Sequence, residues 1–333
     1  MYLTDKVYDE ALYASEIFDF YFGEARLAVF DIETTGLGAS RAKLILGGIL
    51  TPCGGGVRVR QFFAEGAHEE AELLALYTEA LDEADVLFSY NGDRFDIPFV
   101  NERLAQRRRP PAFGGCLSVD LYRVLRRHSK LGDALPNLKQ KTVEGYLGLG
   151  RAREDRITGA DSVRLYYEYT ATKDPKLLQY ILLHNSDDLL QLARILRVFG
   201  KLNLHEIASH TGFPVKCGES LAFVTDSKLE RHALEFSGKY KALPFDYVLF
   251  DEPWQIAFQN ETESFSVRVP CLFDKGVVFV DLRELGADDG DFAAYPEYQS
   301  GYLALKRGSE VYHGPMNRLI KRITRTALSR FER

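Results

Sequence analysis

Two acidic residues follow directly after a short apolar run in the first part of the chain. Residues 27–30 (Leu-Ala-Val-Phe) predict a buried strand, and Asp31 and Glu33 stand at its end. Residues i and i+2 of a strand point to the same face, so the two carboxylates project together. Adjacent carboxylates are costly to bury unless a cation neutralises them. The pattern favours a metal site, although two exposed acids at a strand edge would also give it.

A second acid, Asp96, follows another apolar run at residues 86–88 and lies just before Pro98. Proline at an early helical position, preceded by an acid, is typical of a helix start. Capping the helix and binding a metal are compatible roles for Asp96. We interpret the neighbouring Asp93 as facing solvent. Asn91 either contacts a substrate or closes a turn, and the sequence leaves both roles open.

A third acidic motif lies in a predicted helix that contains His184, Asp187 and Asp188. His184 and Asp188 are four residues apart and share a helix face. That face also carries apolar residues, whereas Asp187 shares its face with polar ones. We therefore predict that Asp188 is the inward-facing acid, with His184 beside it.

Together, these motifs resemble the three exonuclease motifs of the DEDD branch of the ribonuclease-H-like superfamily, in a bacterial subgroup of predicted exonucleases. Residues 138–144 and the segment from Arg156 to Gly159 also resemble that subgroup. The resemblance covers about residues 27–196. It implies an α/β fold, with a five-stranded mixed sheet flanked by helices.

The resemblance also implies how the site works. Asp31, Glu33, Asp96 and Asp188 would hold two Mg²⁺ or Mn²⁺ ions, which activate a water and stabilise the leaving oxygen of a phosphodiester. The implied activity is 3′–5′ exonuclease cleavage of DNA or RNA, at single-stranded ends. A structure-specific endonuclease and an inactive nucleic-acid-binding scaffold are the alternatives.

His184 departs from the family pattern. In this superfamily a tyrosine four residues before the third-motif aspartate, or a histidine five before it, orients the attacking water. Here a histidine stands at the tyrosine spacing. A neutral imidazole suits a general base near neutral pH, but His184 could also only fill its helix face.

Several residues are candidates for substrate binding: Thr34, Asn91, Arg107, Arg108 and Arg109. Further basic residues cluster between residues 123 and 130, and at Lys139 and Lys141. Such clusters suit phosphates, but they also suit solvated helix ends. The net charge of −6 is mild evidence against extensive duplex binding. A nucleotide-binding module would need a phosphate loop, and the glycine run 54–56, which predicts a hairpin turn, lacks the Lys-Ser/Thr of such a loop.

We expect an N-terminal arm (residues 1–25, including a short helix), the nuclease domain (26–204) and a smaller β-rich α+β accessory domain of unknown role (205–333). A basic helix from about Met316 ends the chain and either binds nucleic acid or a partner, or docks on its own domain. Its basic residues are Arg318, Lys321, Arg322, Arg325, Arg330 and Arg333.

An acidic stretch with Asp288, Asp289 and Asp291 predicts a loop that lacks the spacing of an EF-hand calcium site. The four cysteines form no CxxC pair, and no signal or membrane-spanning segment is predicted. A reduced cytoplasmic location, without membrane association, is therefore expected.

Overall fold

The computed structural model describes residues 1–149, 153–154, 157–241, 246–249, 253–287 and 290–331. Residues divide into two compact units. Unit 1 comprises residues 1–16 and 25–202, and unit 2 comprises residues 17–24 and 203–333. Arg156, Asp288, Asp289 and Arg333, which the sequence analysis names, lie outside the described residues.

Unit 1 contains a six-stranded mixed sheet. Its strands are β1 (Tyr2–Tyr8), β2 (Leu27–Thr34), β3 (Leu44–Cys53), β4 (Gly56–Phe63), β5 (Val86–Ser89) and β6 (Leu117–Asp120). The order across the sheet is β1-β4-β3-β2-β5-β6, in which β2, β5 and β6 are parallel. Strands β3 and β4 form the predicted hairpin, and Gly54 and Gly55 at its turn have positive φ angles of 52° and 90°. The predicted mixed α/β class is thereby confirmed.

The sheet of unit 1 has one strand more than predicted. Residues 1–25 were expected to form a short helix and an arm, whereas residues 2–8 pair with β4 as an antiparallel edge strand. The burial of β1 is low, with five of its seven residues exposed. An edge strand exposed on both faces shows no alternation of apolar and polar residues, and this is why the sequence pattern did not reveal it.

Helices cover both faces of this sheet. They are α2 (Glu70–Asp82), α3 (Asp96–Ala105), α4 (Leu121–His128), α5 (Leu131–Ala134), α6 (Gln140–Tyr146), α7 (Gly159–Thr172) and α8 (Pro175–Ile195). Helices α2 and α3 contribute to a core cluster with Phe30 and Leu44, and α7 and α8 contribute to another with Ile45 and Phe63. Neighbouring residues of β3 thus face opposite layers, as the two-residue period of a strand requires.

Unit 2 is rich in antiparallel strands. One sheet has the order β10-β11-β12-β9-β8-β7, and a smaller one is built on β13-β14-β16-β15, with β17 pairing with β16. The strands are β7 (Phe213–Cys217), β8 (Ser220–Leu229), β9 (Ala233–Lys241), β10 (Tyr247–Leu249), β11 (Gln255–Gln259), β12 (Ser264–Pro270), β13 (Leu272–Asp274), β14 (Val277–Asp281), β15 (Tyr298–Gln299), β16 (Tyr302–Arg307) and β17 (Glu310–Val311).

Three helices complete unit 2: α1 (Glu16–Phe22), α9 (Leu204–Thr211) and α10 (His313–Leu328). Helix α10 is the predicted C-terminal helix, and it packs on α9 and on β7. Within the described part of the chain, no helix combines the length and the apolar character that a membrane crossing requires.

Candidate active site

Four acidic side chains of unit 1 converge from separate parts of the chain. Asp31 and Glu33 lie at the end of β2, Asp96 is the first residue of α3, and Asp188 lies on α8. Glu33 and Asp96 are buried. The parallel arrangement of β2 and β5 brings the loop before α3 to the same edge of the sheet as the end of β2.

Backbone and amide hydrogen bonds fix two of the acids. The Ile32 backbone N–H donates to Oδ1 of Asp96 over 3.2 Å, which ties α3 to β2. The Asn185 Nδ2 donates to Oδ2 of Asp31 over 2.9 Å, which ties α8 to β2. The positions of Asp31 and Asp96 are therefore set by the packing of three elements and not by a flexible loop.

His184 lies between the other two acids. Its Nε2 is 3.5 Å from Oε1 of Glu33 and 3.6 Å from Oδ2 of Asp188, and its side chain is buried. One ligand atom of each of these three residues lies within 4.8 Å of the others. The group is compact enough to surround a single cation or a bound water.

The electrostatics of the site disfavour negative charge. Burial, followed by the nearby carboxylates of Asp188, Asp96 and Glu33, raises the pKa of Asp31 well above its usual range, although the Asn185 hydrogen bond opposes the shift. Burial also raises the pKa of Asp96 to about 7. Clustered, buried carboxylates are the ligands that hard divalent cations prefer, so this donor set fits Mg²⁺ or Mn²⁺.

A cleft of about 830 Å³ opens at the acids. Polar and charged lining residues include Lys139, Lys141 and Thr158, and apolar ones include Leu37 and Phe95. Leu37 is 86% exposed, so its side chain is accessible to a molecule in the cleft. The cleft thus combines carboxylates at its base with cations and apolar side chains around them.

Arg153, which was not predicted as a site residue, also lines this cleft. Its guanidinium forms ion pairs with Glu144, at 2.6 Å, and with Asp188. Both acids raise the pKa of Arg153, against the opposing effect of burial. Arg153 therefore neutralises part of the charge on Asp188. Nothing in its surroundings in the sequence distinguishes it from the other arginines of that segment.

Asn185 and Gln61 were also missed. Both are buried, and Gln61 Nε2 donates to Oδ1 of Asn185 over 2.9 Å, while Asn185 donates to Asp31. Gln61 donates to the Leu182 carbonyl as well. The signal for Asn185 was its place beside His184, but the position of Gln61 opposite it depends on how α8 lies on β4.

Of the predicted substrate-binding residues, Thr34 lines the cleft and Asn91 does not. Thr34 lines the cleft, and its hydroxyl donates to the Gly36 carbonyl over 2.9 Å. Asn91 closes a turn, because it has a positive φ of 67° and its carbonyl accepts from the backbone N–H of Arg94 and Phe95. The side chain of Asn91 does not line the cleft.

The structure does not bring the three consecutive arginines to the cleft. Arg107 forms an ion pair of 2.5 Å with buried Glu70, and Arg108, with φ of 54°, terminates α3. The Arg109 N–H donates to the Leu104 carbonyl, as expected for a helix C-terminus. Since α3 begins at Asp96 and runs away from the site, its last residues lie roughly 15 Å along the axis from the carboxylates.

Two interpretations of acidic residues need correction. Asp187, expected on a polar face, is the more buried of the pair: Asp187 is buried, whereas Asp188 is half-buried. The Glu154 backbone N–H donates to Asp187 over 2.7 Å, so a separate segment covers it. Asp93, expected to face solvent, accepts from the Ser118 hydroxyl over 2.7 Å and pairs with Arg123.

Sequence comparison connects this unit with known proteins. A model described as RNase_H superfamily matches residues 28–199. Uncharacterized protein YprB of Bacillus subtilis (strain 168) is 34% identical over 178 residues, which are 51% of this chain and 41% of that protein. The matched segment therefore spans less than half of that relative.

Structural comparison finds more distant similarities. A family B DNA polymerase from the hyperthermophilic archaeon Pyrobaculum calidifontis matches with a TM-score of 0.45 and 20% identity, over 56% of this chain and 25% of that one. An exonuclease I structure matches with a TM-score of 0.37 and 10% identity, over 64% of this chain and 55% of that one.

Proposed function

The chain belongs to the RNase H superfamily, and from that membership we propose that its carboxylate cleft hydrolyses phosphodiester bonds of nucleic acid. The proposed mode is that of a DEDD-type 3′–5′ exonuclease acting on single-stranded ends. One observation carries the proposal: Asp31, Glu33, Asp96 and Asp188 converge although they come from three separate segments, and three of them, Asp31, Glu33 and Asp188, line the cleft. Four carboxylates in such proximity are unfavourable for stability alone.

The proposed cofactors are two Mg²⁺ or Mn²⁺ ions. Asp31 lies nearest the centre of the charges, since Glu33, Asp96 and Asp188 all raise its pKa, so Asp31 would hold the ions together with these three acids. When bound, such ions activate a water and stabilise the leaving oxygen. The protein contributes a rigid donor set, held by the Ile32–Asp96 and Asn185–Asp31 hydrogen bonds.

We propose that His184 orients the attacking water and accepts its proton at Nε2. This atom faces both Glu33 and Asp188, and it lies on the wall of the cleft. The two carboxylates favour the protonated imidazole that forms after the transfer. His184→Ala should lower kcat by about 100-fold or more and should flatten the acidic limb of the pH–rate profile. An unchanged pH–rate profile in this variant would refute the role.

Single-stranded ends suit the cleft because both positively charged and apolar side chains line it. Lys139 and Lys141 offer positive charge to phosphates, while Leu37 and Phe95 offer apolar surface on which an unpaired base can stack. A base can reach such surface only when it is not enclosed in a duplex. Thr34 lines the same cleft, and we propose that it contacts the terminal nucleotide.

The proposal can be tested by digesting end-labelled single-stranded DNA and RNA with purified protein and Mn²⁺ or Mg²⁺. We expect a 5′-labelled strand to shorten progressively and a 3′-labelled strand to release labelled mononucleotide. The comparison of DNA with RNA identifies the preferred sugar. Asp31→Asn should reduce the rate by about three orders of magnitude or more while the circular dichroism spectrum stays unchanged.

A circular single strand separates the alternatives. Cleavage of the circle would favour a structure-specific endonuclease, and cleavage of linear strands alone would favour the exonuclease. If the chain binds the strands but cleaves neither, with or without metal, the protein is a binding scaffold and the catalytic proposal is wrong.

A further inference from the structure

Helix α10 of unit 2 presents four basic residues on one face. Arg318, Lys321, Arg322 and Arg325 are spaced by three and four residues, so they lie along two turns on one side of the helix. All four line a pocket of about 240 Å³. The pocket is also lined by Cys217, by Thr326 of the same helix and by Ser329, which follows the helix. It is separate from the carboxylate cleft in both its residues and its unit.

Lys321 lies deepest in this pocket. It is 3% exposed, although lysine is rarely buried without a carboxylate partner. Its ammonium donates to the Phe20 carbonyl and lies 4.7 Å from the centre of the Phe20 ring. Burial, and then the charges of Arg325 and Arg318, lower its pKa to about 8. The charges of Arg325 and Arg318 thus add to the effect of burial in disfavouring the charge on Lys321.

The guanidinium groups of Arg318 and Arg325 are held in place. Arg318 lies 4.9 Å from the centre of the Phe20 ring, and its Nε donates to the Tyr295 hydroxyl over 3.0 Å. Arg325 pairs with Glu24 and points its Nε to the Lys216 carbonyl at 3.4 Å. Arginines that are already ordered lose less entropy when they bind an anion.

Acidic residues balance only part of this charge. Among the described residues that line the pocket, Asp291 is acidic, and its Oδ2 is 3.7 Å from Nη1 of Arg322. Glu24, outside the lining, pairs with Arg325. Four cations against these two carboxylates leave an excess of two positive charges in the described part of the site. Arg322 and Arg325 remain accessible, with side chains 37% and 40% exposed.

We propose that this pocket of unit 2 binds a phosphoryl group of a single-stranded nucleic acid. Its volume suits a phosphate and its ester oxygens, and its arginines match the fork geometry by which guanidinium binds phosphate. Only the choice of nucleic acid as the source of the phosphate rests on the proposed nuclease function.

The test measures binding of a fluorescein-labelled single-stranded 20-mer by anisotropy, in a full-length Asp31→Asn background with chelator so that no cleavage occurs. The double variant Arg322→Gln/Arg325→Gln should weaken binding by roughly tenfold, and the slope of log K against log salt should fall by about 0.7 for each lost phosphate contact. Arg307→Gln, at an exposed position of unit 2, is the matched control and should stay within about twofold.

The double variant Arg322→Lys/Arg325→Lys separates a structural effect from a loss of phosphate contacts. It keeps the charge but not the fork geometry, so it should bind the strand more tightly than the Gln variant and more weakly than the parent. Fluorescence of buried Trp254 reports whether unit 2 remains folded in each variant. The inference is overturned if the Gln variant binds the strand as the parent does. It is equally overturned if ³¹P NMR shows loss of inorganic phosphate binding while affinity for the strand is unchanged, because the site then serves free phosphate.

A separate assay distinguishes failure of the nuclease proposal from failure of the pocket proposal. Hydrolysis of the p-nitrophenyl ester of thymidine monophosphate, with Asp31 intact, depends on the carboxylate cleft. The double Gln variant should hydrolyse this small substrate at the parent rate. If neither protein hydrolyses it, the nuclease proposal fails while the anisotropy comparison still tests the pocket.

Discussion

Asp96 has a folded-state pKa of about 7, against an ordinary value of 3.8. The folded protein therefore holds its proton more tightly than the unfolded chain does between about pH 4 and pH 7. By linkage, stability from this group is present at low pH and is lost as the pH rises to about 7. The raised pKa of Asp31 acts in the same direction.

This linkage predicts the behaviour of Asp96→Asn without metal. The amide oxygen can still accept from the Ile32 N–H, but the buried charge is gone. In chelator at pH 8, we expect the variant to be more stable than wild type by about 1–2 kcal/mol, with the difference shrinking towards pH 4. Urea unfolding at both pH values measures this. The prediction would be contradicted if the free energy of unfolding of the wild type rose between pH 4 and pH 7 relative to that of the variant.

Arg153 competes with any cation for the carboxylate of Asp188. In Arg153→Gln, we expect Mn²⁺ to bind about 3–10-fold more tightly by isothermal titration calorimetry, because one ligand no longer has to leave an ion pair. Arg164→Gln is the matched control, since Arg164 is exposed and pairs only with residues of its own helix among the contacts described. Weaker Mn²⁺ binding in Arg153→Gln would show that Arg153 supports the metal site.

At the residue scale, contacts within one strand or helix could be predicted from the spacing of residues in the sequence. Contacts between residues of different elements could not. The strand period placed Asp31 and Glu33 together, and the helix period placed His184 beside Asp188. Arg107 was misleading because its role depends on Glu70, which approaches it from another helix. Asp187 was misjudged for the same reason: a distant segment covers what its own helix would leave exposed.

Strand β3 approaches two helices closely at glycines, α8 at Gly48 and α2 at Gly47. A Cβ on Gly48 would lie 2.2 Å from Oδ1 of Asn185, and a Cβ on Gly47 would lie 2.6 Å from the ring of Tyr77. The two glycines thus admit α8 on one face of the sheet and α2 on the other. Because Asn185 also holds Asp31, this contact determines where the third acidic motif meets the first.

Gly48→Ala should therefore disturb both fold and site. We expect a loss of about 1–3 kcal/mol by urea unfolding, together with weaker Mn²⁺ binding, because Asn185 must move away from Asp31. Gly145→Ala, in helix α6, is the control: its added Cβ meets nothing within 4 Å, and we expect unchanged or slightly higher stability. An equal effect of both changes would argue against close packing as the cause.

At the element scale, the hairpin of β3 and β4 was predictable because its turn glycines and flanking strands are adjacent in sequence. Strand β1 was not, because it is an exposed edge strand whose partner lies more than fifty residues away, as in the pairing of Tyr2 with Phe63. The basic face of α10 was visible as a pattern, but the pocket needed Phe20 and Glu24 from the opposite end of the chain.

The path of the chain alternates between the two units. The chain begins in unit 1, contributes residues 17–24 to unit 2, returns to unit 1 and ends in unit 2. Helix α1 is integral to unit 2, since Phe18, Tyr21 and Phe22 are all buried. The Tyr21 hydroxyl lies 2.7 Å from Nδ1 of His205 and accepts from Asn317 Nδ2 over 2.8 Å.

Tyr21→Phe tests whether helix α1 contributes to the stability of unit 2. Removing the hydroxyl leaves buried polar groups of His205 and Asn317 without this partner, so we expect unit 2 to lose about 1–2 kcal/mol. The chain has one tryptophan, Trp254, buried in unit 2, and its fluorescence during urea unfolding reports that loss. Tyr167→Phe, at an exposed position, should leave the same transition unchanged. A similar shift in both variants would rule out the buried network as the cause.

The contact between Tyr21 and Asn317 joins residues 296 positions apart. On the ribosome, at about 5–20 residues per second, α1 emerges roughly 15–60 s before the helix that completes its surroundings. Throughout that interval Phe18, Tyr21 and Phe22 have no finished core to enter. The nascent chain thus exposes an aromatic segment during synthesis, and slowing translation should lengthen that exposure.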